Sequence, residues 1–254
     1  MTPPVFLVDD TADLAAATVV LTGAEGRHAA VVRRIRAGET VDLSDGRGER
    51  ARCTVVEVGR DSVVCEVGKR WHEPAPRPRL TVVQALPKGD RGELAVEMMT
   101  EAGVDVIVPW AAERCVTRWK GDRAAKSLAK WRAAAREAAK QARRGRLPEV
   151  TGLAGRDDVA ALLSGADTAI VLHEDGAVGL SGIAVPDGDR ASADDGADHG
   201  VVLVVGPEGG FSDAELDAFT GAGARTALLG PSVLRTSTAG VAALSILQVR
   251  SGRW

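Results

Sequence analysis

The chain has 254 residues, 45% of them apolar and 26% charged, which suits one large or two smaller globular domains and excludes collagen, coiled coil and long disorder. Its formal net charge of −3 argues by itself against nucleic acid, but the charge is unevenly placed. Residues 118–146 hold eleven Lys/Arg against two Asp/Glu, and residues 156–198 hold ten Asp/Glu against two Arg. No apolar stretch approaches the roughly 20 residues a membrane helix needs, and the start, MTPPVFLVDD, lacks the basic and apolar regions of an export signal. Cys53, Cys65 and Cys115 form no C-x-x-C pair, so a disulfide framework is not expected and a reducing cytoplasm is. With only four scattered histidines, no metal site is expected either.

The first seventy residues predict a small β-rich unit. Val5–Val8, Thr18–Leu21, Thr40–Ser44, Arg50–Val58 and Val63–Val67 are strand candidates, with turn chemistry at Asp45-Gly46-Arg47-Gly48 and Gly59-Arg60-Asp61-Ser62. Short strands with tight turns suggest a small barrel. Thr22 and Glu25 have capping-box spacing before a short helix, in which His28, Val31, Val32 and Ile35 are expected to share one face. His28, on that apolar stripe, reads as a packing or capping residue. The three alternating prolines of Pro74-Ala-Pro76-Arg-Pro78 mark a linker. The expected division is 1–72 for the β-unit, 73–79 for the linker and 80–254 for a second domain.

In that second domain strands alternate with helices. Leu80–Leu86, Val104–Val108, Thr168–Leu172, Val201–Val205 and Thr226–Leu229 are apolar strand candidates. Helices are expected at Glu93–Ala102, Arg123–Arg143 and Ala239–Val249, and Asp187–His199 reads as an acidic loop. Five apolar strands with helical crossovers predict an α/β fold with a mostly parallel sheet buried on both faces.

Three strand ends carry candidate chemistry. After Val201–Val205 come Gly206-Pro207-Glu208-Gly209-Gly210-Phe211-Ser212 and Glu215, where Ser212 and Glu215 again have capping-box spacing. Glycines let backbone approach a ligand closely, although a tight turn alone would also need them. The spacing is neither G-x-G-x-x-G nor a P-loop. Leu228-Leu229-Gly230-Pro231-Ser232-Val233-Leu234-Arg235-Thr236-Ser237-Thr238 places an arginine among hydroxyls at a helix entrance. Ser237 or Thr238 is expected to cap that helix, and Arg235 serves either chemistry or a surface ion pair. Leu172-His173-Glu174 ends a third strand. If these strands are neighbours, their loops enclose one pocket, since ligands of open α/β sheets bind beyond the strands' carboxyl ends.

The pairing of GPEGG with LGPSVLRTSTA, together with His28-Ala-Ala-Val-Val-Arg33-Arg34, Glu113-Arg114-Cys115 and Gln141-Ala-Arg-Arg-Gly-Arg146-Leu-Pro-Glu149, resembles the SPOUT class of methyltransferases. Within it the chain is most similar to the family that methylates N3 of a uridine in 16S ribosomal RNA (RsmE type). The resemblance covers nearly the whole chain. It implies a PUA-like RNA-binding barrel followed by a SPOUT domain with a trefoil knot, a homodimer, and S-adenosyl-L-methionine held by Leu172–Glu174, Gly206–Gly209 and Leu229–Arg235. Within those loops it points to Leu172, His173, Glu174, Gly206, Pro207, Glu208, Gly209, Leu229, Gly230, Val233 and Leu234. Arg235 is the candidate catalytic residue. Many members carry glutamate where this chain has Ser237, so no general base is assigned.

For RNA, the basic run 118–146 reads either as a solvated helix face or as a phosphate-binding surface. Candidate RNA contacts are Arg33, Arg34, Lys88, Arg114, Arg143, Arg144 and Arg146. The expected partner is the small ribosomal subunit. Alternatives are a ribose 2′-O-methyltransferase of the same fold, a catalytically silent RNA-binding assembly factor and, last, an unrelated nucleotide-binding protein.

Overall fold

The computed structural model describes residues 2–187 and 200–254, so the acidic stretch read as a loop lies, from 188 onward, outside the described residues. The chain forms two compact units, Met1–Ala75 with Ala139–Leu147, and Pro76–Ala138 with Pro148–Trp254.

The first unit contains β1 (Val5–Leu7), α1 (Thr11–Ala15), β2 (Thr18–Leu21), α2 (Gly23–Arg27), β3 (Thr40–Ser44), β4 (Glu49–Val58) and β5 (Val63–His72). Its sheet runs β1-β3-β4-β5-β2. The β1–β3 pair is parallel and the other pairs are antiparallel. Alternation in β4 sends Ala51, Cys53 and Val55 inward, where they pack with Phe6, Leu21, Leu43 and Val63. Each such large apolar side chain contributes about 1.5–3 kcal/mol. Asp10 caps α1 by accepting from the Ala12 amide at 2.9 Å.

Two local expectations fail here. Thr22 precedes α2 but makes no side-chain cap. Glu25 instead accepts from the Leu7 amide and pairs with Lys140. The expected face of His28, Val31, Val32 and Ile35 is also broken. Residues His28–Val32 form a π-helical turn, whose longer repeat shifts the side chains off the 3.6-residue stripe. Ala29 and Ile35 are buried, whereas Val31 and Val32 are 48% and 67% exposed.

The second unit contains β6 (Leu80–Ala85), α3 (Arg91–Glu101), β7 (Val106–Trp110), α4 (Asp122–Gln141, its last three residues counted with the first unit), β8 (Glu149–Val150) and α5 (Arg156–Ser164). Then follow β9 (Thr168–Leu172), β10 (Val178–Gly179), β11 (Val201–Val205), α6 (Asp213–Gly221), β12 (Arg225–Leu228) and α7 (Thr236–Arg250). The sheet order is β10-β12-β9-β11-β6-β7-β8, and every pairing is parallel. All five residues of β11 are buried, as a central parallel strand requires. Trp110 fills the core beside Phe211 and Phe219, with ring centroids 5.6 and 5.3 Å away. Asp105 accepts from the Leu80 amide at 2.8 Å and pairs with Arg253 at 2.6 Å, tying the start of β6 to the residues after α7.

Candidate active site

β12, β9 and β11 are immediate neighbours, all parallel. Their carboxyl ends, Leu228, Leu172 and Val205, therefore emerge on one edge of the sheet. The three loops singled out in the sequence are thus brought to the same rim. Two contacts tie the loop after β9 to strand β12 and to the glycine loop. The His173 amide donates to the Ala227 carbonyl at 3.0 Å, and the His173 ring lies 6.0 Å from that of Phe211. His173 Nδ1 accepts from the Asp175 amide at 3.1 Å, so this nitrogen is committed to the loop's own turn.

The glycine loop is folded tightly on its support. A Cβ on Gly206 would lie 2.6 Å from the Phe211 ring, and one on Gly209 would lie 3.0 Å from Arg114 Cβ. Arg114 donates to the Gly209 carbonyl at 3.3 Å, and the Glu208 carboxylate accepts from the Lys88 amide at 3.2 Å. The capping box on α6 is present. Ser212 Oγ accepts from the Glu215 amide at 3.3 Å, and Glu215 Oε2 accepts from the Ser212 amide at 2.8 Å. The other Glu215 oxygen accepts from the Glu113 amide at 2.7 Å. One buried carboxylate thereby fixes the glycine loop's exit to the 112–115 segment. Its spacing to Ser212 was legible in the sequence; its second partner, 102 positions away, was not.

Arg235 is not flanked by a capping hydroxyl. It is itself the N-cap of α7, with extended backbone and no side-chain cap. Its guanidinium is exposed and has no hydrogen-bond or ion-pair partner among the described residues. The helix starts at Thr236 rather than at Ala239, so Ser237 lies within its first turn and is 4% exposed. The capping role expected of Ser237 or Thr238 is therefore absent. Beside Arg235, Val233 is 80% and Leu234 38% exposed, while Leu229 and Gly230 are half-buried.

One residue escaped the sequence reading. Gln84 sits in the apolar run of β6 and is wholly buried. Its side-chain amide donates to the carbonyls of Ala85 at 3.1 Å and Thr236 at 3.3 Å. Gly240 lets α7 approach, because a Cβ there would lie 2.8 Å from Met99 Sδ and 3.2 Å from Gln84 Oε1. A lone polar residue in an apolar strand was the available signal.

The candidate RNA contacts divide by environment. Arg33, Arg34 and Arg143 are exposed and have no side-chain partner among the described residues. Arg146 donates to the Glu73 carbonyl at 2.8 Å. Arg144 is half-buried and already engaged, and Lys88 is exposed at the rim loop. Within the basic run, Lys140 is buried against Glu25, and Arg118 and Arg132 donate to backbone carbonyls. Much of that run's charge is therefore structural. Among the described residues no group of His, Cys, Asp and Glu could hold a metal ion, and no helix is long and apolar enough to cross a membrane.

Comparison with known proteins agrees with this arrangement. Residues 73–248 match the RNA methyltransferase domain, and residues 21–68 match the RNA methyltransferase PUA domain. The ribosomal RNA small subunit methyltransferase E of Mycobacterium tuberculosis is 47% identical over 262 residues, covering 100% of this chain and 94% of that protein. The chain belongs to the ribosomal RNA small subunit methyltransferase E family. The member from Bacillus subtilis is 29% identical and covers 93% of this chain and 91% of its own length. Among solved members of this SPOUT-type family, the Neisseria gonorrhoeae enzyme bound to S-adenosyl methionine superposes with a TM-score of 0.83 at 28% identity, with 98% of each chain covered. A Legionella pneumophila methyltransferase in complex with the same cofactor gives 0.82 at 26% identity, again with 98% of each chain covered.

Proposed function

We propose that the chain methylates N3 of a uridine in 16S ribosomal RNA of the small subunit, using S-adenosyl-L-methionine at the rim formed by the loops after β9, β11 and β12. The observation that carries the reading is the free, exposed guanidinium of Arg235 at the entrance of α7, on the same edge as the glycine loop. When bound, the cofactor supplies an electrophilic methyl group on a sulfonium. The chain's residues hold the acceptor in line, which accounts for much of the rate. Uridine N3 must lose its proton, which passes to solvent water because no side chain is assigned as its base, and the imide charge that develops spreads over O2 and O4. Arg235, directed at one of those oxygens, stabilises that charge more in the transition state than in the ground state. Gly206–Gly209 and Leu229–Leu234 hold the cofactor through backbone groups and open apolar side chains. His173 contributes its loop backbone rather than a proton. Ser237, buried in the first turn of α7, replaces the glutamate of many relatives without supplying a carboxylate.

RNA is held by the exposed cations of both units, Arg33, Arg34 and Arg143 in the first and Lys88 and Arg114 in the second. Arg146, bound to the Glu73 carbonyl, and Arg144, already engaged, shape that surface. A cytoplasmic homodimer completes the reading. Sedimentation of the full chain tests the dimer, which a monomer at micromolar concentration would overturn.

The decisive experiment is Arg235→Ala in a methylation assay on small subunits, with mass spectrometry of the modified nucleotide. Loss of this kind of charge stabilisation lowers turnover by ~10²–10³, while calorimetric binding of S-adenosylmethionine is retained. A methyl group found on ribose, or unchanged turnover, would overturn the assignment.

A further inference from the structure

Within the first unit a pocket opens between β1, the π-helical turn and the segment after α4. It is lined by Val5, Phe6, His28, Arg33, Lys140 and Arg143. Its floor holds an ion pair. The Lys140 ammonium, only 5% exposed, pairs with Glu25 at 2.8 Å and lies 3.3 Å from His28 Nδ1. An ammonium can only donate, so Nδ1 accepts, and the ring carries its proton on Nε2. Phe6 holds the ring edge-on at 5.8 Å. The mouth is different. Arg33 and Arg143 are exposed, and neither guanidinium has a partner among the described residues.

The backbone beneath these cations is unusual. Arg143 has φ +57°, in the left-handed region. It closes α4 in a Schellman-type turn, with Arg143 N–H to the Lys140 carbonyl at 3.0 Å and Arg144 N–H to the Ala139 carbonyl at 2.9 Å. Glycine is the favoured residue at that position, because the Cβ of most other residues crowds the following carbonyl oxygen there. The π-helical turn also ends on a residue in the left-handed region. Arg34 has φ +52°, and the Ile35 amide reaches back to the Ala29 carbonyl at 3.1 Å. Arginine thus occupies two glycine-type positions at the ends of the segments that form this pocket. Residues held in sparsely populated backbone regions cluster at functional sites.

We propose that this pocket binds one backbone phosphate of the substrate RNA, with Arg33 and Arg143 as its charged ligands and His28 Nε2–H as a neutral donor. Two unpaired guanidiniums and one N–H above the Lys140–Glu25 pair match a phosphodiester's charged non-bridging oxygens. The proposal rests on the RNA reading above and deepens it. One defined phosphate is held in the β-unit, in place of diffuse attraction by a basic face.

Arg143→Gly is the informative variant, because glycine relieves the backbone while removing the guanidinium. Filter binding of a 16S RNA transcript to full-length protein, over a range of salt concentrations, should show affinity ~5–10-fold weaker for Arg143→Gly and Arg33→Ala. The slope of log affinity against log salt should fall by about one for each. The thermal midpoint of Arg143→Gly should stay level or rise, and cofactor binding should not change. Arg60→Ala, an exposed turn residue elsewhere on the unit, should match the parent. Parent-like RNA affinity and salt slope for Arg143→Gly would overturn the proposal. So would a lowered midpoint, which would make Arg143 structural, or an equal loss in Arg60→Ala, which would make the attraction diffuse. If inorganic phosphate at constant ionic strength saturates the parent at micromolar concentration, the ligand is free phosphate and the RNA assignment is wrong. Absence of salt-dependent RNA binding by the parent would overturn the functional reading itself, whereas a parent that binds and an Arg143→Gly that binds equally would overturn the pocket alone.

Discussion

The side-chain amide of Gln84 donates to the carbonyl of Thr236 at 3.3 Å, and Thr236 directly follows Arg235. A buried polar residue in a sheet strand thus holds the helix turn on which the candidate catalytic guanidinium stands. Gln84→Leu keeps the volume and removes the donor. It should cost about 1–3 kcal/mol in urea denaturation and lower kcat more than it changes cofactor affinity. Unaltered kcat would separate Gln84 from the site.

Glu215 accepts amides from two segments, Glu113 at 2.7 Å and Ser212 at 2.8 Å, and is 3% exposed. Hydrogen bonds to a charged group contribute about 1.5–3 kcal/mol each. Glu215→Ala should therefore lose about 3 kcal/mol or more by the same measurement, and Glu215→Gln, which retains one acceptor, should lose less.

Gly206→Ala places a methyl group 2.6 Å from the Phe211 ring. That ring cannot retreat easily, because Trp110, Phe219 and His173 surround it. Overpacking of this kind costs about 1–3 kcal/mol. Calorimetry should show weaker S-adenosylmethionine binding together with a lower thermal midpoint.

The three cysteines are buried and free. Burial pushes the Cys53 thiol up to about 11 and the Cys65 thiol up to about 12. Unfolding exposes them, and they then ionise near 8.5–9. Between that range and the folded values the unfolded chain binds fewer protons, so stability falls as pH rises, by on the order of 1 kcal/mol per pH unit for each thiol. This contribution is fully present below about pH 8. Urea midpoints measured from pH 8 to 10.5 should decline, and Cys65→Ala should flatten the decline. Native protein should also react slowly with a thiol reagent at pH 8.

The rim loops were legible because buried parallel strands are apolar runs, two of them broken by Gly-Pro and the third by His173-Glu174-Asp175. Leu172, Val205 and Leu229 could each be placed as strand ends without a partner in view, the last one residue beyond the end of β12. The adjacency of β12, β9 and β11 is a property of threading, which local sequence does not encode. Strands β8 and β10, two residues each, are shorter than any periodicity can reveal. The π-helical turn was invisible for the opposite reason: Val31 and Val32 fit a helical stripe well, so periodicity puts them on one face with His28 and Ile35. Thr22 and Ser212 show the limit of motif spacing. Both precede a glutamate by three residues, yet only Ser212 caps, because Glu25 is drawn to Lys140 over a distance of 115 positions.

Strand β11 lies between β6 and β9, although more than a hundred residues separate it from β6. During synthesis, β6 and β7 must wait with one edge bare until residues 201–205 leave the ribosome and slot in beside them. Assembly of this sheet is therefore a late, non-local event of the slow kind expected for high contact order. A nascent chain stalled before residue 200 would present that bare edge, and it is there that chaperone dependence should concentrate.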